Sequence, residues 1–253
     1  MKTEQNRRTF IKTTALAAAG IGIGANSFAE SLYPSSKFSA AVGTRVGIIG
    51  LDTSHVIAFT KALNGPNPSP DYSGFKVVAA YPYGSKDIKS SYERIPGYIE
   101  DVKKLGVEIT DSIASLLDKV DFVLLETNDG RLHLEQALQV IKAGKRFFID
   151  KPIAASLADA SAIFSAAKKA NVGVFSASSL RYSVGAQEIA GGKYGKVLGA
   201  ETFSPCHLES THPDLFWYGI HGVESLFTVM GPGCKQVVRI SSPEVDVVVG
   251  TWN

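Results

Sequence analysis

The 253-residue chain is poor in cysteine, methionine and tryptophan, with two of each, and it carries no surplus of either charge: 26 Lys and Arg against 24 Asp and Glu give a formal net charge of +2. Two cysteines, Cys206 and Cys234, cannot frame a disulfide-stapled scaffold. They fall in different predicted elements, so free, buried thiols are the expectation and pairing the alternative. The Lys and Arg residues are scattered rather than striped along one element, which excludes a surface built to track a phosphate backbone; no nucleic-acid partner is expected. No apolar run approaches the roughly 20 residues needed to cross a bilayer, so no permanent membrane anchor is expected either. What remains, 45% apolar and 20% charged, is an ordinary globular composition.

The first 29 residues read as a targeting segment rather than as part of the fold. Arg7-Arg8-Thr9-Phe10-Ile11-Lys12 is followed by an Ala- and Gly-rich apolar run from Ala15 to Ala25, then by Ser27-Phe28-Ala29 as a small-x-small cleavage site. The Arg pair with Phe10 and Lys12 resembles a twin-arginine export signal and implies a periplasmic location. Cleavage after Ala29 would remove four basic residues and one acidic residue, turning the net charge from +2 to −1. Residues 30–43 have no period and read as a linker.

From Arg45 the pattern changes. Arg45 to Gly50, Phe75 to Tyr81, Asp121 to Glu126, Arg146 to Ile149 and Gly173 to Ser176 are short, continuous apolar runs, as in parallel strands buried on both faces. Between them His55 to Leu63, Ser91 to Leu105, Leu132 to Ala143 and Leu157 to Ala170 carry apolar residues at helical spacing, with Gly144 placed as a helix-ending glycine. Strand and helix alternating through short links predict an α/β, doubly wound parallel domain over residues 44–180. Leu198 to Phe203 as a strand, Pro213 to Met230 as a helix, and Gln236 to Ile240 and Val245 to Trp252 as strands make residues 181–253 an incomplete α+β domain with a mostly antiparallel sheet. A sheet ending in mid-strand suggests a truncated copy of a longer protein.

The turn after the first strand, Gly50-Leu51-Asp52-Thr53-Ser54-His55, stands where such a fold cradles a pyrophosphate. Asp52 and His55 occupy the second and third glycine positions of the usual fingerprint, and an Asp there would repel phosphate. The amides of Thr53, Ser54 and His55 still form a helix N-terminus able to hold an anion; Asp52 as a plain helix cap is the competing account.

Further along, Leu124 to His133, then Ala143-Gly144-Lys145, then Asp150-Lys151-Pro152, then Ser178 to Tyr182 and Gly219 to Glu224 follow one another in a set order. Together they resemble the Gfo/Idh/MocA oxidoreductases, the family of glucose-fructose oxidoreductase and inositol dehydrogenase, over residues 45 to about 252. The resemblance implies a Rossmann domain binding NAD or NADP. Its contacts would come from Gly50, Asp52, Thr53, Ser54, His55, Tyr81, Ser85, Lys86, Thr127, Asn128, Asp129, His133, Asp150, Lys151 and Arg181. It also implies Lys151 as the bridge between substrate oxygen and cofactor ribose, His221 as the acid/base, and a substrate wall of Lys151, Arg181, Trp217, Tyr218 and His221. A hydride leaving a secondary alcohol needs a proton acceptor and a cation for the developing oxyanion, and these two residues supply them.

The chain departs from the family pattern in three places: the glycine loop, the second strand's end, and Trp217 where an Asp often stands. At the second strand's end no acid is available for the adenosine ribose, and Ser85 with Lys86 favours NADP over NAD. Cys206, His207 and His212 lack a second ligand pair, so no metal is expected. The sequence thus reads as an exported NAD(P)-dependent oxidoreductase of a sugar or polyol, homo-oligomeric at full length and holding its cofactor tightly. The alternatives are a non-catalytic sugar-binding protein on a decayed Rossmann scaffold and a redox-neutral, NAD-using enzyme that cleaves glycosides.

Overall fold

The computed structural model describes residues 43–252; the expected export signal and most of the expected linker lie outside them. The chain runs β1 (Arg45–Ile49), α1 (Ser54–Asn64), β2 (Lys76–Tyr81), α2 (Lys89–Tyr92), α3 (Ile95–Lys104), β3 (Glu108–Ile109), α4 (Ile113–Leu117), β4 (Phe122–Leu125), α5 (His133–Lys142), β5 (Arg146–Ile149), α6 (Leu157–Lys169), β6 (Val174–Ser176), α7 (Val184–Ala190), α8 (Ile220–Met230), β7 (Gln236–Ser241) and β8 (Asp246–Thr251). The first six strands form one sheet in the order β3-β2-β1-β4-β5-β6, every pairing parallel. That is the Rossmann order, with its topological switch between β1 and β4.

The continuous apolar strands are explained by burial on both sides. Phe148 on β5 packs with Val56, Phe59 and Leu63 of α1 and Val102 of α3. Its neighbours Phe147 and Ile149 point the other way, into Ala137 and Val140 of α5 and Ile163 and Ala167 of α6. Each such side chain, fully buried, contributes about 1.5–3 kcal/mol. Hydroxyl caps start three of the helices: Thr53 accepts from the His55 amide, Ser112 from Ser115 and Ser156 from Asp159. Gly144 follows α5 with φ 68°, the helix-ending glycine expected from the sequence.

Four details differ from the sequence reading. The helix expected over Ser91 to Leu105 is broken into α2 and α3, because Pro96 has no amide proton and its ring excludes the preceding turn's carbonyl. The helix expected from Pro213 begins only at Ile220, after a single 3-10 turn at Asp214–Phe216. Leu198 to Phe203 is no strand: those residues form no regular element, and Leu198 and Phe203 are 87% and 97% exposed. Cys206 and Cys234 are free, as expected, but half-buried rather than buried. The short β3, α4 and α7 had no sequence signal strong enough to be read. Beyond the parallel sheet, β7 and β8 make an antiparallel hairpin. No helix among the described residues is long and apolar enough to cross a membrane.

Candidate active site at the switch point of the sheet

The ends of β1, β4 and β5 converge at the switch point, and most of the residues singled out in the sequence meet there. Gly50 ends β1 at φ 88°, and a Cβ on it would lie 2.6 Å from the Thr127 backbone. Only glycine lets the loops after β1 and β4 touch. Its amide donates to the Tyr81 carbonyl and that of Leu51 to Pro82, tying the same turn to β2.

Asp52 is fully buried, and its carboxylate accepts from the amides of Asn128 (2.9 Å) and Ser85 (3.2 Å). It clamps the loops after β2 and β4 rather than facing an anion. A Cβ on Gly84 would lie 2.1 Å from it, so the glycine makes room for the clamp. Burial pushes the Asp52 carboxyl up to about 6, against the two amides. Thr53 is buried and its hydroxyl is taken by the α1 cap; Ser54 is exposed beside it. His55 turns inward, Nδ1 2.8 Å from Asp150 Oδ2.

Asp150 is itself buried, and Lys151 Nζ lies 4.0 Å from the same oxygen with a side chain only 12% exposed. Burial opposes the Asp150 charge, but His55 and Lys151 outweigh it and hold the carboxyl low. The Lys151-Pro152 peptide is cis. Across from it stands Glu126, the residue after β4, fully buried with no partner for either oxygen. Burial first, then Asp150, pushes its carboxyl far up.

His221, in the first turn of α8, reaches this group from the other part of the chain. Its Nδ1 is 2.7 Å from Ser178 Oγ. Burial, with the Lys151 ammonium as the next cause, lowers its pKa to about 4, so the imidazole is neutral at pH 7. Glu224, one turn on, accepts from the Ser178 amide and from Arg181 Nε, both at 2.5 Å. Arg181 is therefore spent on an ion pair that anchors α8 to the loop after β6. Tyr218 packs edge-on against His221, ring centroids 4.7 Å apart, while Trp217 lies against His212 at 4.7 Å.

Several of the other predicted cofactor contacts are committed to the protein itself. His133 is fully buried, its ring between the Thr127 carbonyl (2.6 Å) and that of Ile153 (3.1 Å). Asn128 donates to Ser91 Oγ, and Asp129 is held by Arg131, whose guanidinium also reaches Asp87. Ser85 is buried and donates to Asp87 at 2.9 Å, Lys86 is exposed, and Tyr81 packs on Tyr83. Glu126, Ser178, Glu224 and Asp87 were missed as site residues; an acid ending the apolar β4 run was the one available signal, for Glu126. Cys206, His207 and His212 form no metal-capable group among the described residues. His207 instead meets the Tyr218 ring at 5.7 Å.

Residues 44–178 match the profile of the oxidoreductase family with an NAD-binding Rossmann fold, Gfo/Idh/MocA. The chain belongs to that family. Solved structures share its fold at low identity. A dehydrogenase, MviM, from Clostridium difficile superposes with a TM-score of 0.60 at 17% identity, covering 83% of this chain and 66% of its own. GenD2 from gentamicin A biosynthesis, in complex with NAD, gives 0.59 at 16%, covering 84% and 64%. The UDP-N-acetylglucosamine 3-dehydrogenase GnnA from Acidithiobacillus ferrooxidans gives 0.58 at 16%, covering 83% and 65%. The chain thus spans under two thirds of each relative's length. Among curated proteins none matches the sequence.

Proposed function

We propose that this chain is an exported, NAD-dependent oxidoreductase that moves a hydride to or from a secondary alcohol of a sugar or polyol. The observation that carries the reading is that Lys151, its Nζ 4.0 Å from buried Asp150 after β5, and His221, held by Ser178 after β6, come from distant parts of the sequence to neighbouring strand ends. Lys151 is the cation for a developing oxyanion. His221, neutral and fixed through Nδ1 by Ser178, leaves Nε2 to take the hydroxyl proton.

A nicotinamide dinucleotide fits the switch point in one respect and strains it in another. The N-terminus of α1, with Ser54 exposed, opens toward it as an anion site, and the buried Thr127 hydroxyl beside Gly50 lacks a partner. Asp52, for its part, is turned down into the protein and keeps its charge from the surface. When bound, the nicotinamide would supply the hydride acceptor. Ser85 gives its hydroxyl to Asp87, which pairs with Arg131, and Lys86 beside it stays exposed.

Export of a folded, loaded enzyme by the twin-arginine route leaves it no nucleotide pool, so the cofactor would cycle in place between paired oxidations and reductions. Purified mature protein, denatured and analysed by mass spectrometry, is expected to release near-stoichiometric NAD. Absence of NAD and NADP, with no binding on addition, would instead favour the non-catalytic sugar-binding reading.

A further inference from the structure

We propose that His55, Glu126 and Asp150 form a binding site for one divalent transition-metal ion of the zinc type. One ligand atom from each lies within 4.8 Å of the others, and the three come from α1, the end of β4 and the end of β5, which the sheet holds rigidly side by side. One imidazole nitrogen and two carboxylates are a donor set that borderline divalent ions accept, with a fourth position left for water or substrate.

Glu126 supplies the independent reason. It is fully buried, and neither oxygen has a partner. As a carboxylate it lacks donors, and as a neutral acid its O–H lacks an acceptor, so neither protonation state satisfies it. A cation bound between Glu126 and Asp150 does. Access is from His55, whose side chain is 29% exposed while that of Asp150 is 3% exposed. On binding, His55 Nδ1 would exchange its contact with Asp150 for the ion. Of the three, His55 stands with Asp52 at glycine positions of the loop after β1, where Asp52 turns into the protein and His55 turns into the cluster.

The full mature chain, stripped with chelator and returned to buffer, is titrated with Zn2+ against a chromogenic indicator of micromolar affinity, and each sample is also assayed for bound nucleotide. The expected result is one equivalent of zinc, weakened at least tenfold in His55→Ala and in Glu126→Gln, with His212→Ala unchanged. Both variants should keep the wild-type circular dichroism, since Gln preserves the shape of Glu and His55 is partly exposed. No zinc bound by wild type, equal affinity in both variants, or loss in His212→Ala would overturn the site. Nucleotide without zinc would overturn it and leave the dehydrogenase reading standing; zinc without nucleotide would do the reverse.

Discussion

In the proposed reaction Lys151 and His221 divide the work of one proton and one negative charge, and their tests differ accordingly. Lys151→Ala should lower turnover by a factor on the order of 10² or more while nucleotide occupancy stays close to wild type; full turnover would remove the lysine from the chemistry. His221 has a lowered pKa of about 4, so the base form is complete above about pH 6 and is lost as pH falls through 4. Alcohol oxidation should therefore show no His221-dependent decline between pH 6 and 8, and a Lys151→Ala variant should move the acid limb upward, because the neighbouring ammonium no longer depresses the imidazole. Asp52 gives the opposite sign. Its folded pKa, about 6, is above the usual 3.8, so the proton is held more tightly in the native state: the stabilisation is full below the unfolded value and is lost as pH rises through 6. Relative to Asp52→Asn, the wild type should lose on the order of 3 kcal/mol of stability between pH 4 and 7; a difference that does not change with pH would show that the clamp is not titrating. Lys151 and His221 were legible because ordered motifs carry them. Glu126 and the loss of Arg181 to Glu224 were not, since which of two nearby charges a side chain takes is decided by packing that no local pattern records.

The strands and long helices of the parallel sheet were legible because burial on both faces writes continuous apolar runs, and one-sided burial writes a helical period. The same logic fails where an element is too short to show a period, as in β3 and α4, or where a β-like run has no partner to pair with, as at Leu198 to Phe203. Pro96 was visible in the sequence, but only the structure shows that the chain restarts a helix at once rather than ending it. The contact between the β1 and β4 ends is where element geometry is least forgiving. Gly50 combines φ 88° with backbone of Thr127 at 2.6 Å from any Cβ, whereas Gly144 has φ 68° and nothing within 4 Å. Gly144→Ala should then cost about 1 kcal/mol for the left-handed backbone alone, and Gly50→Ala about 3 kcal/mol or more because the loops must also part. Thermal unfolding of the two variants separates the terms: equal midpoints would mean that the β1–β4 contact yields freely.

At the scale of the whole molecule the two faces of the β7–β8 hairpin are unlike. Residues opposite one another in an antiparallel pair share a face, so Val238 with Val249 and Ile240 with Val247 line one side, all four at least 47% exposed. The other side mixes the exposed Val237 and Val248 with Arg239, whose guanidinium is 2.6 Å from Asp246 and also pairs with Asp214. A contiguous aliphatic stripe with no charge interrupting it is the kind of surface that associates, and a second copy of this chain offers the matching stripe in a two-fold arrangement. The mature protein should then run as a dimer or small oligomer in light scattering. Ile240→Lys with Val247→Glu keeps a cross-strand pair of opposite charge on the hairpin and so should leave its thermal midpoint near that of the dissociated protein, while shifting the particle to monomer. A wild-type monomer, or an oligomer that the double substitution does not dissociate, would place the assembly surface elsewhere.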